Sequence, residues 1–305
     1  MKPDAEPTNN DATTTSETGR WADGWVDALE NPTVPEASAG RKPSLIYTIA
    51  FDAPGKPFHQ LMAKMLVSSI FRTGWSGDVL VITNSEHRVY ENGRERLEEV
   101  SLDSTRVQGN LGLEAMKLKF GAGEFFDPSK YEWVMFVDCD CLFMQNPERL
   151  LNGNADILYA TEPFTLMSDV YSNAYLTEAE IAAAKEAGKP GLNSGTLAVR
   201  ASAYKEVMRE WSRVYHLPRT HNVCHDQTSW ARMVLDAGAK AEPFAEWVGI
   251  HYPLVETVDP GKMFQGTLYH FLGTKAVHKL AHIYGHYMRR FHPETMFSLT
   301  SLLDG

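Results

Sequence analysis

Apolar and polar residues come in blocks along this chain, and the period of the apolar positions changes from block to block. Residues 44–51, SLIYTIAF, form a nearly continuous apolar, β-prone run, the pattern of a strand buried on both faces. A turn, DAPGKP, follows. Phe58, Leu61, Met62, Met65, Leu66 and Ile70 then recur at helical spacing,. Beyond Gly74, GDVLVITN reads as a second buried strand. Strand, amphipathic helix and strand make a βαβ unit, which predicts a parallel sheet covered by helices. WVMFVDCDCLF (133–143) predicts a third strand running into a loop with Asn146 and Pro147, and ADILYATEP predicts a fourth. Thr177 and Glu180 have the spacing of a capping box before an Ala-rich helix that stops at Gly188,. GTLAVRAS predicts a further strand. It feeds a helix with Tyr204, Val207, Met208, Trp211 and Tyr215 on one face, and a shorter helix runs from Asp226 to about Ala237. The last third has shorter, weaker signals and ends in the aromatic and basic stretch HIYGHYMRRFHP.

The first 42 residues break this pattern. They are rich in Thr, Asn, Asp, Glu and Pro and poor in apolar residues, so they cannot offset the entropy of ordering. The organisation expected is a largely disordered tail over 1–42 and a single domain over 43–305. One island, with Trp21, Trp25, Val26 and Leu29 on one helical face, reads as a short helix docked on the body or a partner-binding motif. The whole chain has 305 residues, 43% hydrophobic and 22% charged, and a formal net charge of −10. That acidity argues against nucleic-acid binding, which needs a basic footprint. No apolar run is long enough to span a bilayer, and the polar N-terminus has no apolar signal region, so the expected location is cytoplasmic. The three cysteines, Cys139, Cys141 and Cys224, form no C-x-x-C pair, which speaks against a disulfide framework or a cysteine zinc site.

Charge changes the picture most at Asp138 and Asp140. They follow the apolar run Trp133–Val137, so they fall at the carboxyl end of a buried strand, where open α/β sheets place ligands. An apolar strand rarely runs into two acids unless something offsets their repulsion and desolvation. Two carboxylates one residue apart suit a hard cation such as Mg²⁺ or Mn²⁺, which can neutralise a diphosphate. The bland alternative is a solvated Asp-x-Asp turn. If the strand persists, Cys139 and Cys141 alternate with the acids and point away from them as packing residues.

Two families share this motif. In the haloacid-dehalogenase-like phosphatases it opens the domain and continues with Thr or Val. Here it lies mid-chain and continues with Leu142, and no later acidic pair has the required spacing. A nucleotidyltransferase would need a Gly-rich loop with Arg, which DAPGKP does not supply. The chain more closely resembles the nucleotide-sugar glycosyltransferases of the GT-A fold, above all glycosyltransferase family 8, the glycogenin-like and galactosyltransferase-like enzymes. The resemblance spans about Ser44 to Lys279. It rests on YTIAFD at the first strand end, with Phe51 where a small hydroxyl residue is usual, on MKLKF before the acidic motif, and on Asp138-Cys139-Asp140 itself. It continues through Gly191-Leu192-Asn193-Ser194-Gly195, Asp226-Gln227 and His270-Phe271-Leu272-Gly273. The family's lysine six residues after that His is replaced by Ala276, with Lys275 one residue earlier, and the following Pro-Trp is absent.

This resemblance implies a three-layer α/β/α sandwich of GT-A type with a mostly parallel central sheet. It implies a metal-dependent hexosyltransferase using a UDP-sugar and an acceptor hydroxyl on a saccharide, lipid or protein, with retention of configuration. Asp138, Asp140 and His270 would hold Mn²⁺ or Mg²⁺. Ala50, Phe51, Asp52, either Lys117 or Lys119, Gly273 and Lys275 would contact the donor. Asn193, Asp226 and Gln227 would meet the transferred sugar and the acceptor. The residues allow plainer roles beside these: a turn at Asn193-Ser194, a helix N-cap at Asp226, a core histidine at His270 and a solvated Lys275. The remaining functional alternatives are the Mg²⁺-dependent phosphatase and a module that binds a nucleotide sugar without transferring it.

Overall fold

A computed structural model of the chain describes residues 42–54, 56–85, 96–102, 110–245, 250–251, 266–271 and 285. The tail island at Trp21 and Trp25 and all of HIYGHYMRRFHP except Gly285 lie outside them, as do Gly273 and Lys275. In chain order the elements are β1 (Leu45–Ala50), α1 (Phe58–Arg72), β2 (Asp78–Thr83), β3 (Leu97–Ser101), α2 (Leu111–Gly121), β4 (Trp133–Val137) and β5 (Cys141–Phe143). Then come β6 (Ile157–Leu166), α3 (Glu178–Glu186), β7 (Pro190–Arg200), α4 (Tyr204–Tyr215), α5 (His225–Ala237), β8 (Ala241–Pro243), β9 (Ile250–His251) and β10 (Leu268–His270).

Seven strands form the central sheet in the order β3-β2-β1-β4-β7-β6-β8. The pairs β1–β2, β2–β3, β1–β4 and β6–β8 are parallel, and β7 runs antiparallel to both β4 and β6. The βαβ expectation therefore holds. The sheet carries helices on both faces, as the GT-A-like sandwich requires. Strand alternation explains the layers. Tyr47, Leu80, Phe136 and Leu197 face one core with Trp211 of α4 and Trp230 of α5. Ile46, Val79, Met135 and Ala198 face the other with Leu66 and Ile70 of α1. Among the described residues no helix is long and apolar enough to cross a membrane.

Two sequence expectations fail in instructive ways. WVMFVDCDCLF is not one strand. β4 ends at Val137, the chain turns through Asp138–Asp140, and β5 joins a second sheet of order β5-β10-β9. Two ionised side chains cannot continue a strand buried on both faces, so the backbone leaves the sheet where they begin. With the strand broken, Cys139 does not point away from the acids but lines the same cavity. Nor is Gly191–Gly195 a turn: β7 starts at Pro190 and carries the whole segment as buried strand.

The capping box at α3 forms as expected. Thr177 Oγ1 accepts from the Glu180 amide at 3.3 Å, and Glu180 Oε2 accepts from the Thr177 amide at 2.8 Å. Glu180 also accepts from Arg232 Nη1 of α5 at 2.6 Å. Replacing Thr177 with Ala should cost about 1 kcal/mol of unfolding free energy. Urea denaturation would measure it, and an unchanged midpoint would show that the box adds no stability.

Candidate active site

The chain reverses direction across the sheet between β1 and β4. β2 and β3 extend to one side of β1, and β4 returns on the other. The carboxyl ends of strands at such a switch point frame a crevice. A cavity of about 390 Å³ lies there, walled by Ile49 of β1, His59 and Met62 of α1, Met116 and Lys119 of α2, the Asp138–Asp140 turn and Asp226 of α5. A larger recess of about 670 Å³ lies at the opposite end of β4, around Lys42, Glu132 and Arg200. It contains none of the candidate residues, so volume alone does not locate the chemistry.

Lys119 is the centre of the charged cluster. Its ammonium donates to Asp226 Oδ2 at 2.7 Å and lies 3.2 Å from Asp138 Oδ1. Asn110 caps the start of α2 by accepting from the Gly112 and Leu113 amides. The Tyr47 hydroxyl of β1 donates to the Lys119 carbonyl at 2.5 Å, which seats the last turn of α2 on the sheet. Burial alone would push the Lys119 ammonium down, but Asp138 and Asp226 more than offset that, and its pKa is raised. Burial pushes the Asp138 carboxyl up despite Lys119. Asp226 is buried too, yet Lys119 and the Ser194 hydroxyl hold its carboxyl below the ordinary range. Lys117, the other candidate, points to the surface and pairs with Glu114 at 2.9 Å. The structure thus places Lys119, not Lys117, beside the acids.

Asp226 is not an N-cap. Cys224 occupies the cap position with φ 44, a left-handed conformation that is uncommon for a residue other than glycine. His225 braces this turn. Its ring stacks on Tyr215 with centroids 3.8 Å apart, and Nε2 lies 2.6 Å from the Tyr175 hydroxyl. Asp226 follows in the first turn of α5, with its carboxylate aimed at Lys119 and Ser194 Oγ, 2.9 Å away. Gln227 turns to the other side, where Nε2 donates to the Tyr171 carbonyl at 3.2 Å.

His270 reaches the acids from the second sheet, where β10 pairs antiparallel with β5. Its Nε2 is 3.2 Å from Asp140 Oδ1 and 3.8 Å from Asp138 Oδ2. Burial would lower the imidazole, but Asp140 and Asp138 outweigh it, and its pKa is raised. Gly195 of β7 lies directly beneath. A β-carbon there would collide with His270 Cε1 and the Asp138 carboxylate, so glycine is needed for these two side chains to meet over β7. Asp140, Cys141 and His270 each offer a ligand atom within 4.8 Å of the others, which makes this a possible cation site. Burial, reinforced by the acids, pushes the Cys141 thiol well up. Sulfur is a soft ligand and a poor partner for a hard cation. The oxygen–nitrogen set of Asp138, Asp140 and His270 fits Mn²⁺ or Mg²⁺ better.

The first-strand residues do not gather here. Ala50 is buried and Phe51 packs in the core. Asp52 accepts from the amides of His59 and Gln60 at 2.8 and 2.9 Å and so anchors the start of α1. It delivers His59 instead: the ring Nδ1 lies 2.8 Å from Asp52 Oδ1, and that hydrogen bond raises the imidazole pKa. Sequence reasoning missed His59, whose only signal is its place at the start of a helix after Pro57. It also missed Glu162, buried midway along β6 and hydrogen-bonded to Asn193. An acid closing the apolar run ILYA is the same signal that singled out Asp138.

The family comparison adds to this geometry. The nucleotide-diphospho-sugar transferase family matches residues 132–289, more than half of the chain, including both acids, β7, Asp226 and His270. The chain belongs to that family. No curated protein matches this transferase by sequence. Among solved structures, the apo bifunctional glycosyltransferase WbbM is similar in fold, with a TM-score of 0.52 at 12% identity. The alignment covers 80% of this chain and 49% of that one, so the transferase spans about half the length of the structure it matches.

Lys119 sets the stability of the cluster. Removing one partner of a buried ion pair costs roughly 3–5 kcal/mol, so Lys119→Met should lower stability by about that much at pH 7. The contribution of Asp226 to the pH dependence should also change sign. In the parent, Asp226 is held low, and the stability this confers is lost as pH falls through its folded pKa, below the ordinary carboxylate range. In the variant, buried carboxylates without a cation are raised above their unfolded values, so stability grows as pH falls toward that range. Denaturation at pH 7 and pH 5 tests this. A variant that loses stability on acidification would contradict the assignment.

Proposed function

We propose that this transferase moves a hexose from a nucleoside diphosphate sugar of the UDP class to an acceptor hydroxyl, in a metal-dependent reaction with retention of configuration. The observation that carries the reading is the convergence of Asp138 and Asp140 on His270 beside Gly195, at the switch point of a sheet in a chain of this family. Mn²⁺ or Mg²⁺ bound there would neutralise charge on the donor diphosphate and on the nucleotide as it leaves. Lys119 adds a fixed positive charge where it develops, and His59 offers a second group on the same wall. Ile49, Met62 and Met116 give the cavity the apolar lining that suits a nucleoside,. Asp226, fixed by Lys119 and Ser194, stands ready to accept from sugar hydroxyls, and Gln227 faces the acceptor side. The UDP class and retention rest on the family 8 resemblance of the Asn-Ser-Gly and Asp-Gln segments. The acceptor is a hydroxyl on a saccharide, lipid or protein. Family membership weighs against the phosphatase reading, and donor turnover separates a transferase from a binding module.

The test is a thermal-shift panel of UDP, GDP, CDP and ADP, each with and without Mn²⁺. A ligand at a hundred times its dissociation constant stabilises by ~2.7 kcal/mol, which moves the melting point by several degrees. UDP should produce this shift only with Mn²⁺. Asp140→Asn should melt like the parent alone, lose the Mn²⁺-dependent shift and lose donor hydrolysis. A variant that keeps full Mn²⁺-dependent UDP binding and turnover would sink the metal assignment, and a parent that binds no nucleotide would sink the reading itself.

A further inference from the structure

Glu162 is a buried carboxylate that none of the roles above employs. It sits midway along β6, 4% exposed, opposite Gly191 of β7 and two residues along from the partner of Asn193. Its Oε2 accepts from Asn193 Nδ2 at 2.9 Å. Its Oε1 takes no hydrogen bond from the described residues but is not sealed from solvent, and no Lys or Arg there pairs with it. Asn193 is oriented from the other side, because its Oδ1 accepts from the Gly195 amide at 2.7 Å. That bond fixes the amide, so Nδ2 must face Glu162 with one N–H to spare. Burial pushes the Glu162 carboxyl up, while Asn193 and His270 pull the other way. One carboxylate oxygen held by Asn193 and the other left open fits a site that a ligand completes.

Its position says which ligand. The apolar cavity lies on the β1, α1 and α2 side of the acidic turn and does not include Asn193 or Glu162. Gly195 connects the two sides, since its missing β-carbon faces Asp138, His270 and Asn193 together. Glu162 therefore lies beyond the acids from the nucleoside end. An anionic phosphate is repelled by a carboxylate there. A group with hydroxyl donors and acceptors is not: Oε1 takes a hydroxyl proton, and the free Nδ2–H gives one to a neighbouring oxygen. Tyr171, whose carbonyl is tied to Gln227, adds a 46% exposed aromatic ring at the rim.

We infer that Glu162 accepts a hydrogen bond from a hydroxyl of the donor saccharide and, with Asn193, determines which sugar the site takes. This rests on the donor reading above and extends it to a residue outside the motifs. A hydrogen bond to a charged group of this kind is worth at least about tenfold in affinity between sugars that present the hydroxyl and sugars that do not.

The experiment compares the parent, Glu162→Gln and Glu162→Asp by calorimetry with Mn²⁺ and UDP, UDP-glucose, UDP-galactose and UDP-xylose. UDP affinity controls for folding and for the metal site, and should stay within about twofold in both variants. The parent should separate the sugars, Glu162→Gln should compress that ranking roughly tenfold, and Glu162→Asp should reorder it. If Glu162→Gln keeps the parental ranking, Glu162 does not read the sugar. If it loses UDP as well, Glu162 serves the metal site, and the inference is equally wrong. A parent that fails to bind UDP at all refutes the donor reading instead, a result that the variants cannot mimic.

Discussion

The structure depends on one buried constraint: the negative charge that β4 delivers at the sheet edge must meet positive charge from elsewhere in the chain. Lys119 meets it in the protein alone, lying between Asp138 and Asp226 at 3.2 and 2.7 Å. Each of these three residues comes from a different element, and none can be displaced without exposing the others to an unpaired charge in a poorly solvated place. The supporting contacts follow from this. Tyr47 ties α2 to β1 by bonding the Lys119 carbonyl. Trp211 Nε1 donates to Ser229 Oγ, one turn along α5 from Asp226, and so ties α4 to the same helix. His225 braces the left-handed turn at Cys224 that turns Asp226 inward.

The antiparallel course of β7 is what lets the site extend past the charged cluster. Its register places Thr196 opposite Val137, the last residue of β4, so Gly195, Ser194 and Asn193 project beyond the point where β4 ends. Ser194 turns to Asp226 and Asn193 to Glu162, as alternation along a strand demands. A short polar segment thereby serves both flanks of the acids. Gly195 between them leaves room for the two sheets to bring Asp138 and His270 together. A turn at this segment, which the glycines alone would suggest, would have served neither flank.

Hydrophobic period made most of the sheet legible. β1, α1, β2, β4, β6, α4 and α5 each carry a run or a face that only burial explains, and they appear within a residue or two of their expected bounds, apart from the longer reach of β6 and the early end of β4 at Val137. The misses share a cause. β3, with LEEVS, and β8, with AEP, lie at the sheet edges and are largely uncovered, so they lack an apolar signature. LYH in β10 is too short to read. The acidic motif was legible as chemistry but not as geometry: nothing in WVMFVDCDCLF marks where one sheet hands over to another. The choice between Lys117 and Lys119 turned on which face of α2 meets the sheet, and its neighbours on that helix form no clear apolar stripe. Glu162 was legible in principle, by the same signal as Asp138, but a lone acid without a second beside it carries less weight than a pair.

The same electrostatics constrains how a donor can enter. The chain is acidic overall, and the crevice adds Asp138, Asp140 and Asp226 within reach of one another. A bare diphosphate approaching this edge meets repulsion that Lys119 offsets only in part, because its ammonium is already shared between two carboxylates. On the proposed metal site, a cation held by Asp138, Asp140 and His270 would remove that repulsion at its source and leave Lys119 with charge to offer the ligand. Metal and donor binding would then be coupled by charge balance alone, with no change of fold needed. The coupling has a direction as well. His59, Lys119 and the proposed cation ligands Asp138 and Asp140 line the cavity, whereas Glu162 has no cationic partner of its own among the described residues. If the proposed donor reading holds, the crevice would attract the anionic end of a nucleotide sugar to one wall and present hydroxyl-directed groups at the other. A donor bound in the reverse sense would then set its diphosphate against an unneutralised carboxylate, so the charge pattern itself would select the orientation for transfer.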